Sequence, residues 1–254
     1  MAVIEIKGVR IGEGQTKTIV PLMDAVESDL YQTAARAVAA GADCVEWRAD
    51  HFKGALDADR LAEACLQLQE QLPETPLIFT LRTKGQGGEV ELDNDAYGDL
   101  LAAVIEDGEP DLVDIELTQG DDSVVQLVDL AHDHGIHAIV SSHDFEGTPS
   151  VEEMEEQLVH MAELGADLPK LAVMARQPAD PRNLMQATAH ARDRLRIPLL
   201  TMSMGLAGQH TRLSGEVFGS ALSFCALDQP SAPGQIKLEE ALVTLKALHR
   251  QLAQ

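Results

Sequence analysis

Eight short runs rich in β-branched and apolar residues recur along the chain, and this recurrence constrains the fold more than any other feature. They are Thr18–Pro21, Cys44–Arg48, Leu77–Arg82, Leu112–Glu116, His137–His143, Lys170–Met174, Pro198–Met202 and Ala221–Ala226. Successive starts lie 23 to 35 residues apart, about the length of one strand-plus-helix unit. Between them run amphipathic stretches of helical period: Asp29–Ala40, Ala58–Leu72, Tyr97–Glu106, Val124–His134, Val151–Leu164 and Pro181–Arg194. Pro181 suits a first helical turn, where a missing N–H breaks no bond. Gly41, Gly135 and Gly165 suit helix ends. The last unit is less regular, with a short stretch at Ser214–Phe218 before the eighth run and a final helix, Leu238–Leu252, after it. Eight such units predict an α/β fold of the (β/α)8 TIM-barrel type rather than an open doubly wound sheet. Val3–Ile6 and Val9–Ile11, flanking Lys7-Gly8, predict an N-terminal β-hairpin closing one barrel end. No connecting stretch has the composition of a linker, so residues 1–254 are expected to form a single catalytic barrel domain.

Composition narrows the functional classes. Aromatic residues are only 3% of the 254, so Ala, Leu, Val and Ile must fill the core. No apolar run reaches the roughly 18 residues of a membrane span. The opening Met1-Ala2-Val3-Ile4-Glu5 lacks the basic start and apolar stretch of a signal peptide, which favours the cytoplasm. Cys44, Cys65 and Cys225 are far apart with no CxxC pair, and they read as small buried hydrophobes rather than a disulfide or zinc set. Asp plus Glu total 42 against 19 Lys plus Arg, a net charge of −23. Such a surface repels phosphate backbones and argues against nucleic-acid partners. A heavily solvated acidic surface suited to high salt is the preferred reading; attraction of a cationic substrate would require the acids to cluster in a cleft.

Barrel enzymes gather their chemistry at the C-terminal ends of the strands, and those ends are charged here. Glu46 and Arg48 alternate with Val45 and Trp47, so they project to the same side. The third run ends on Arg82, the fourth carries Asp114 and Glu116, and the fifth ends Ser141-Ser142-His143-Asp144. Lys170 is the most informative position, because every residue after it in its run is apolar and burying an ammonium is costly. Either it sits at the strand mouth and snorkels to water, or burial and nearby arginines lower its pKa so that it can attack a carbonyl. His132, His134 and His137 look metal-like but point in different directions from a helix end. Gly85-Gln86-Gly87-Gly88 lacks the ending of a phosphate loop and reads as a mobile flap. Gly205-Leu206-Ala207-Gly208 with Arg212 would serve a phosphate or a carboxylate equally well.

The segments IGEGQTKTIVPLM, EWRADHF, SSHDF, KLAVM, MSMG, RLSGEVFGSALSF and SAPGQI, in this order and across nearly the whole chain, resemble the successive signatures of type I 3-dehydroquinate dehydratases. The resemblance implies a (β/α)8 barrel, a homodimer, a small-molecule substrate (3-dehydroquinate), a place in the shikimate pathway, and neither metal nor organic cofactor. It implies that Lys170 forms an imine with the substrate ketone while His143 acts as general base and acid. Arg212 would clamp the carboxylate, Glu46, Arg48 and Arg82 would hold the ring hydroxyls, and Ser231 and Gln235 would form a lid. Four positions depart from the family pattern: Gln86 where Glu is common, Pro21 where Ser is common, Leu206 where Lys is frequent, and Thr211 where Ser is common. The alternatives are a class I aldolase, which would lack the carboxylate clamp and lid, a barrel that binds quinate-like acids without turnover, and a metal-dependent hydrolase, for which no convincing ligand set appears.

Overall fold

A computed structural model describes residues 2–254. It begins with the expected hairpin, strands β1 (Ile4–Ile6) and β2 (Val9–Ile11), paired antiparallel. The turn residues Lys7 and Gly8 take φ of 49° and 80°, the doubly positive φ that a two-residue hairpin turn of matching twist requires. Eight parallel strands follow: β3 (Lys17–Leu22), β4 (Cys44–Arg48), β5 (Leu77–Thr80), β6 (Leu112–Glu116), β7 (His137–Asp144), β8 (Leu168–Met174), β9 (Leu200–Met204) and β10 (Leu222–Ala226). They are neighbours in sequence order, and β10 returns to β3. Between β9 and β10 the ring closes through the parallel bridge Leu199–Ser220, with the Ala221 N–H donating to Leu199 O at 2.7 Å. The chain is therefore a (β/α)8 barrel, as the periodicity predicts.

The helices are α1 (Glu27–Ala39), α2 (Ala58–Glu70), α3 (Asn94–Asp107), α4 (Asp121–Asp133), α5 (Val151–Glu163), α6 (Asp180–Leu195), the short α7 (Gly215–Phe218) and α8 (Leu238–Leu252). Both α3 and α4 begin three residues before the expected starts at Tyr97 and Val124. Their first turns are polar and carry no apolar period; Asp93 caps α3 by accepting from Ala96 N–H at 2.9 Å, which stabilises the orphan donors there. A two-residue strand, β11 (Ile236–Lys237), pairs with β10 on the side away from β3, filling the gap toward β9.

Six of the eight strands differ in their bounds from the sequence reading, and three of the shifts exceed one residue. The β5 ladder stops at Thr80, leaving Arg82 just past the strand. β9 runs from Leu200 to Met204 rather than from Pro198 to Met202, two residues further toward the C-terminal mouth. β8 starts at Leu168, so Lys170 is its third residue and not its first. That placement removes the snorkelling alternative: Lys170 is only 3% exposed.

Two apolar layers position these strands. Inward residues such as Ile19, Ile78, Leu112, Ile139 and Leu200 pack with Ile4, Ile6 and Ile11, so the hairpin plugs the N-terminal mouth. Lys7 fastens it there, its Nζ donating to Asp111 Oδ2 and Leu72 O, each at 2.8 Å. Outward residues, including Trp47, Phe79 and Val113, pack under the helices. With the lower mouth filled, the barrel is open for chemistry at its C-terminal end.

Candidate active site

At that end lies a cleft of about 460 Å3, counting the space at its open mouth. All eight residues expected to serve the reaction line it: Glu46 and Arg48 from β4, Arg82 after β5, His143 from β7, Lys170 from β8, Arg212 after β9, and Ser231 and Gln235 from the loop before β11. Period-two alternation in β4 does send Glu46 and Arg48 to one side. In the β7–β8 ladder Ser141 pairs with Lys170 and His143 with Ala172, so His143 stands one inward position above Lys170 on the adjacent strand.

Lys170 sits among carboxylates. Its Nζ donates to Asp114 Oδ2 at 2.7 Å and lies 3.5 Å from Glu46 Oε1 and 4.7 Å from the Phe224 ring centre. The arginines expected beside it are one step removed, since Arg82 reaches the same Asp114 Oδ2 at 2.8 Å. Arg82 also donates to Glu116 and to Ser141 Oγ, both at 3.0 Å. Burial works against its charge, but Asp114 and Glu116 outweigh that and hold the guanidinium more firmly protonated than usual. Asp114 is its counterpart. Burial alone would raise its pKa, yet Arg82, Lys170 and the Ser141 hydroxyl, donating at 2.6 Å, accompany a carboxyl held well below the ordinary range. Asp114 is thus a fixed anion beneath the amine and a poor proton acceptor.

His143 is electrostatically the reverse. Burial, then Arg82 and Lys170, push its pKa well below the usual histidine value, with Asp114 opposing them only in part. An imidazole in that setting is unprotonated at neutral pH, the form a general base needs. Its ring lies over Phe145, with centres 6.3 Å apart, and its Nδ1 is buried without a hydrogen-bond partner. Its backbone N–H donates to Gln86 Oε1 at 2.7 Å. The glycine-rich loop is therefore a packed element rather than a free flap. Gln86 is buried, and a Cβ on Gly88 would stand 2.0 Å from Arg82 O, so only glycine admits this approach.

Arg212 faces the cavity from a 3-10 turn, Leu206–Leu213. One Nη donates to Pro233 O at 3.3 Å, while Nε and the other Nη are buried without partners. Burial lowers its pKa to about 10, which leaves it cationic at neutral pH. A buried guanidinium with two uncommitted donors has the geometry to receive a planar anion. The neighbouring loop is closed by its own side chains: Ser231 N–H donates to Gln235 Oε1 and Gln235 Nε2 to Ser231 Oγ, both at 2.8 Å.

A family model described as type I 3-dehydroquinase matches residues 18–251. The 3-dehydroquinate dehydratase of Bacillus licheniformis is 42% identical over 250 residues, covering 98% of each chain. That of Salmonella typhimurium is 41% identical over 251 residues, covering 98% of this chain and all of its own. The solved type I 3-dehydroquinate dehydratase from Clostridium difficile superposes with a TM-score of 0.94 at 37% identity, covering 98% of this chain and 99% of that one. The chain belongs to the type I 3-dehydroquinase family. It is accordingly an enzyme, a lyase that dehydrates 3-dehydroquinate in the shikimate pathway.

Several groups that shape the enzyme's cavity were not among the expected site residues. Asp114 and Ser141 bond directly to groups that line it, and Glu116 anchors both Arg82 and, through Thr83 N–H at 2.9 Å, the start of the glycine loop. The alternation Asp114–Ile115–Glu116 was the available signal. Phe224, Met202 and Met204 give the cavity its apolar wall, and nothing in their local sequence distinguishes them from core.

Two of the departures from the family pattern, Thr211 and Leu206, have local explanations, whereas nothing in the structure explains Pro21. Thr211 keeps a working hydroxyl, donating to Gly208 O at 2.7 Å and accepting from Ser203 N–H at 3.1 Å. Leu206 is 83% exposed and takes no part in the cavity wall. His132 and His137 do converge, contrary to the sequence reading: both reach Asp167, at 2.9 and 3.4 Å, at the opposite end of the barrel. All three thiols are free and buried, and burial raises the Cys225 pKa to about 12, so they are inert packing groups.

Proposed function

We propose that the dehydration runs through an imine at Lys170, with His143 moving the protons. The observation that carries this reading is a buried lysine amine and a histidine kept unprotonated by burial and nearby cations, on adjacent strands of one cavity. The amine lone pair of Lys170 adds to the C3 carbonyl carbon of 3-dehydroquinate; a proton is taken up and water leaves, giving a protonated imine. The positive nitrogen is an electron sink, and Asp114, 2.7 Å from Nζ, is a fixed counter-charge for it. His143 takes the C2 proton, and the C–H electron pair becomes the C2–C3 double bond of an enamine. The nitrogen lone pair then re-forms the imine, the C2–C3 π pair becomes the C1–C2 double bond, and the C1–O bond breaks so that the hydroxyl leaves as water with the proton from His143. Water then hydrolyses the imine, releasing 3-dehydroshikimate and Lys170.

Arg212 is the carboxylate receptor in this reading, supported by its two buried, uncommitted donors. Glu46, Arg48 and Arg82 order the ring hydroxyls, and the loop bearing Ser231 and Gln235 excludes water. No step calls on a metal or organic cofactor. The whole chain works as one catalytic domain, and we assign it to the cytoplasm, in keeping with three free buried thiols, as a homodimer that sedimentation velocity would test.

Borohydride reduction tests the imine. Added with substrate, it should inactivate the enzyme and leave a stable adduct on the peptide containing Lys170, while Lys170→Ala should be inactive and unlabelled. Full turnover by Lys170→Ala, or an adduct on a different lysine, would overturn the mechanism.

A further inference from the structure

Three arginines line the cavity, and two are already committed. Arg82 is bound by Asp114 and Glu116. Arg48 is held by Asp50, a residue outside the expected site: Nε donates to Oδ1 at 2.8 Å and an Nη to Oδ2 at 2.7 Å. This is the two-pronged pairing by which a guanidinium would otherwise receive a substrate carboxylate. Asp50 has a fully buried side chain and does not line the cavity, so it stands behind Arg48 and acts through it. Its oxygens have further work. Oδ2 accepts the Glu89 N–H at 3.2 Å, and Oδ1 lies 3.4 Å from the Arg82 N–H. One carboxylate thereby joins the end of β4, the backbone two residues past β5 and the far side of the glycine loop that carries Gln86.

We propose that Asp50 is a positioning residue that sets the direction in which the substrate lies. By pairing with the Nε side of Arg48 it neutralises that guanidinium, whose remaining Nη hydrogens then suit a hydroxyl better than an anion. Arg212 is the cavity arginine with no carboxylate partner, since Arg82 is paired as well. A hydroxylated cyclohexane carboxylate therefore binds carboxylate toward Arg212, and the reverse orientation, carboxylate toward β4, meets only a neutralised arginine and the carboxylate of Glu46. Such a reversed ring would carry its ketone away from Lys170. The inference rests on Arg212 being the carboxylate receptor.

The test uses quinate, which has the carboxylate and ring hydroxyls but no ketone, as a competitive ligand. Arg212→Ala should weaken quinate by about 30-fold, the scale of one charged two-pronged contact. Adding Asp50→Asn to that variant should recover about 5-fold or more, because the amide leaves the charge of Arg48 uncompensated, while the amide oxygen still accepts from Glu89. In the otherwise unaltered enzyme, Asp50→Asn should tighten quinate while lowering kcat/KM, a split that mere loosening of the site does not produce. Thermal melting checks that each variant folds. Asp50→Ser, which likewise removes the charge, replaces the amide if Asp50→Asn does not fold. If Arg212→Ala leaves quinate binding unchanged, the assignment of Arg212 fails. If Arg212→Ala weakens it and the double variant recovers nothing, or quinate weakens alongside kcat/KM in the single variant, the role given to Asp50 is wrong.

Discussion

Gln86→Glu places a carboxylate where the structure has an amide touching His143. The Gln86 Oε1 accepts the His143 backbone N–H at 2.7 Å, and the imidazole follows a few bonds further on. At about 5 Å and an effective dielectric near 20, two unit charges attract by about 3 kcal/mol, or roughly two pH units. Burial of the new carboxylate offsets part of this, so a rise of about one to two units in the histidine pKa is expected. His143 must be unprotonated to take the C2 proton, so activity falls as pH drops through its pKa. Raising that pKa moves the acidic limb of kcat/KM to higher pH. The variant should therefore lose most activity below neutrality and match the parent on the alkaline side of the limb. The conjugated enone of the product gives a direct absorbance assay across the pH range.

Stability supplies a second readout with a defined sign. In the parent, the folded pKa of His143 is depressed by burial and by Arg82 and Lys170. Its stabilising contribution is thus present above the unfolded value of about 6.5 and is lost as pH falls toward the folded value. Gln86→Glu narrows the gap between folded and unfolded pKa, so the melting temperature should fall less steeply on acidification. Superimposable pH–rate profiles would refute the reasoning and mean that position 86 holds the backbone of His143 without reaching its charge.

His143→Ala should lower kcat by about 10²- to 10⁴-fold while leaving borohydride labelling of Lys170 intact, since the imine still forms; loss of labelling would show that His143 is also needed for imine formation. The net charge of −23 predicts a higher melting temperature in about 1 M NaCl than in dilute buffer, because the Debye length falls to about 3 Å; an unchanged or lower value would count against surface repulsion. Ser150 and Glu153 form a reciprocal capping box at the start of α5, so Ser150→Ala should cost about 1 kcal/mol in denaturant unfolding with kcat unchanged.

The barrel was legible in the sequence because its causes are local. Each strand-plus-helix unit carries its own apolar period, and eight units of similar length leave few ways to pair every strand and remove both sheet edges. The chemistry-bearing residues were legible for a related reason. Glu46, Arg48, His143 and Lys170 are polar groups in runs that a closed barrel must cover on both faces, and their matching motifs assigned them expected roles. What stayed hidden depends on distances between residues far apart in sequence. Lys170 was read as opening its strand, yet pairing with β7 extends β8 back to Leu168 and buries the amine. Arginines were expected around that amine, whereas Asp114, 56 residues away, is its closest partner. Whether an arginine is free to bind a ligand was equally beyond the sequence, since Arg48, Arg82 and Arg212 look alike as letters. Composition and periodicity determine which residues must be inside; only the packed barrel decides which charges are satisfied there, because a buried charge takes its state from neighbours that the chain brings together last.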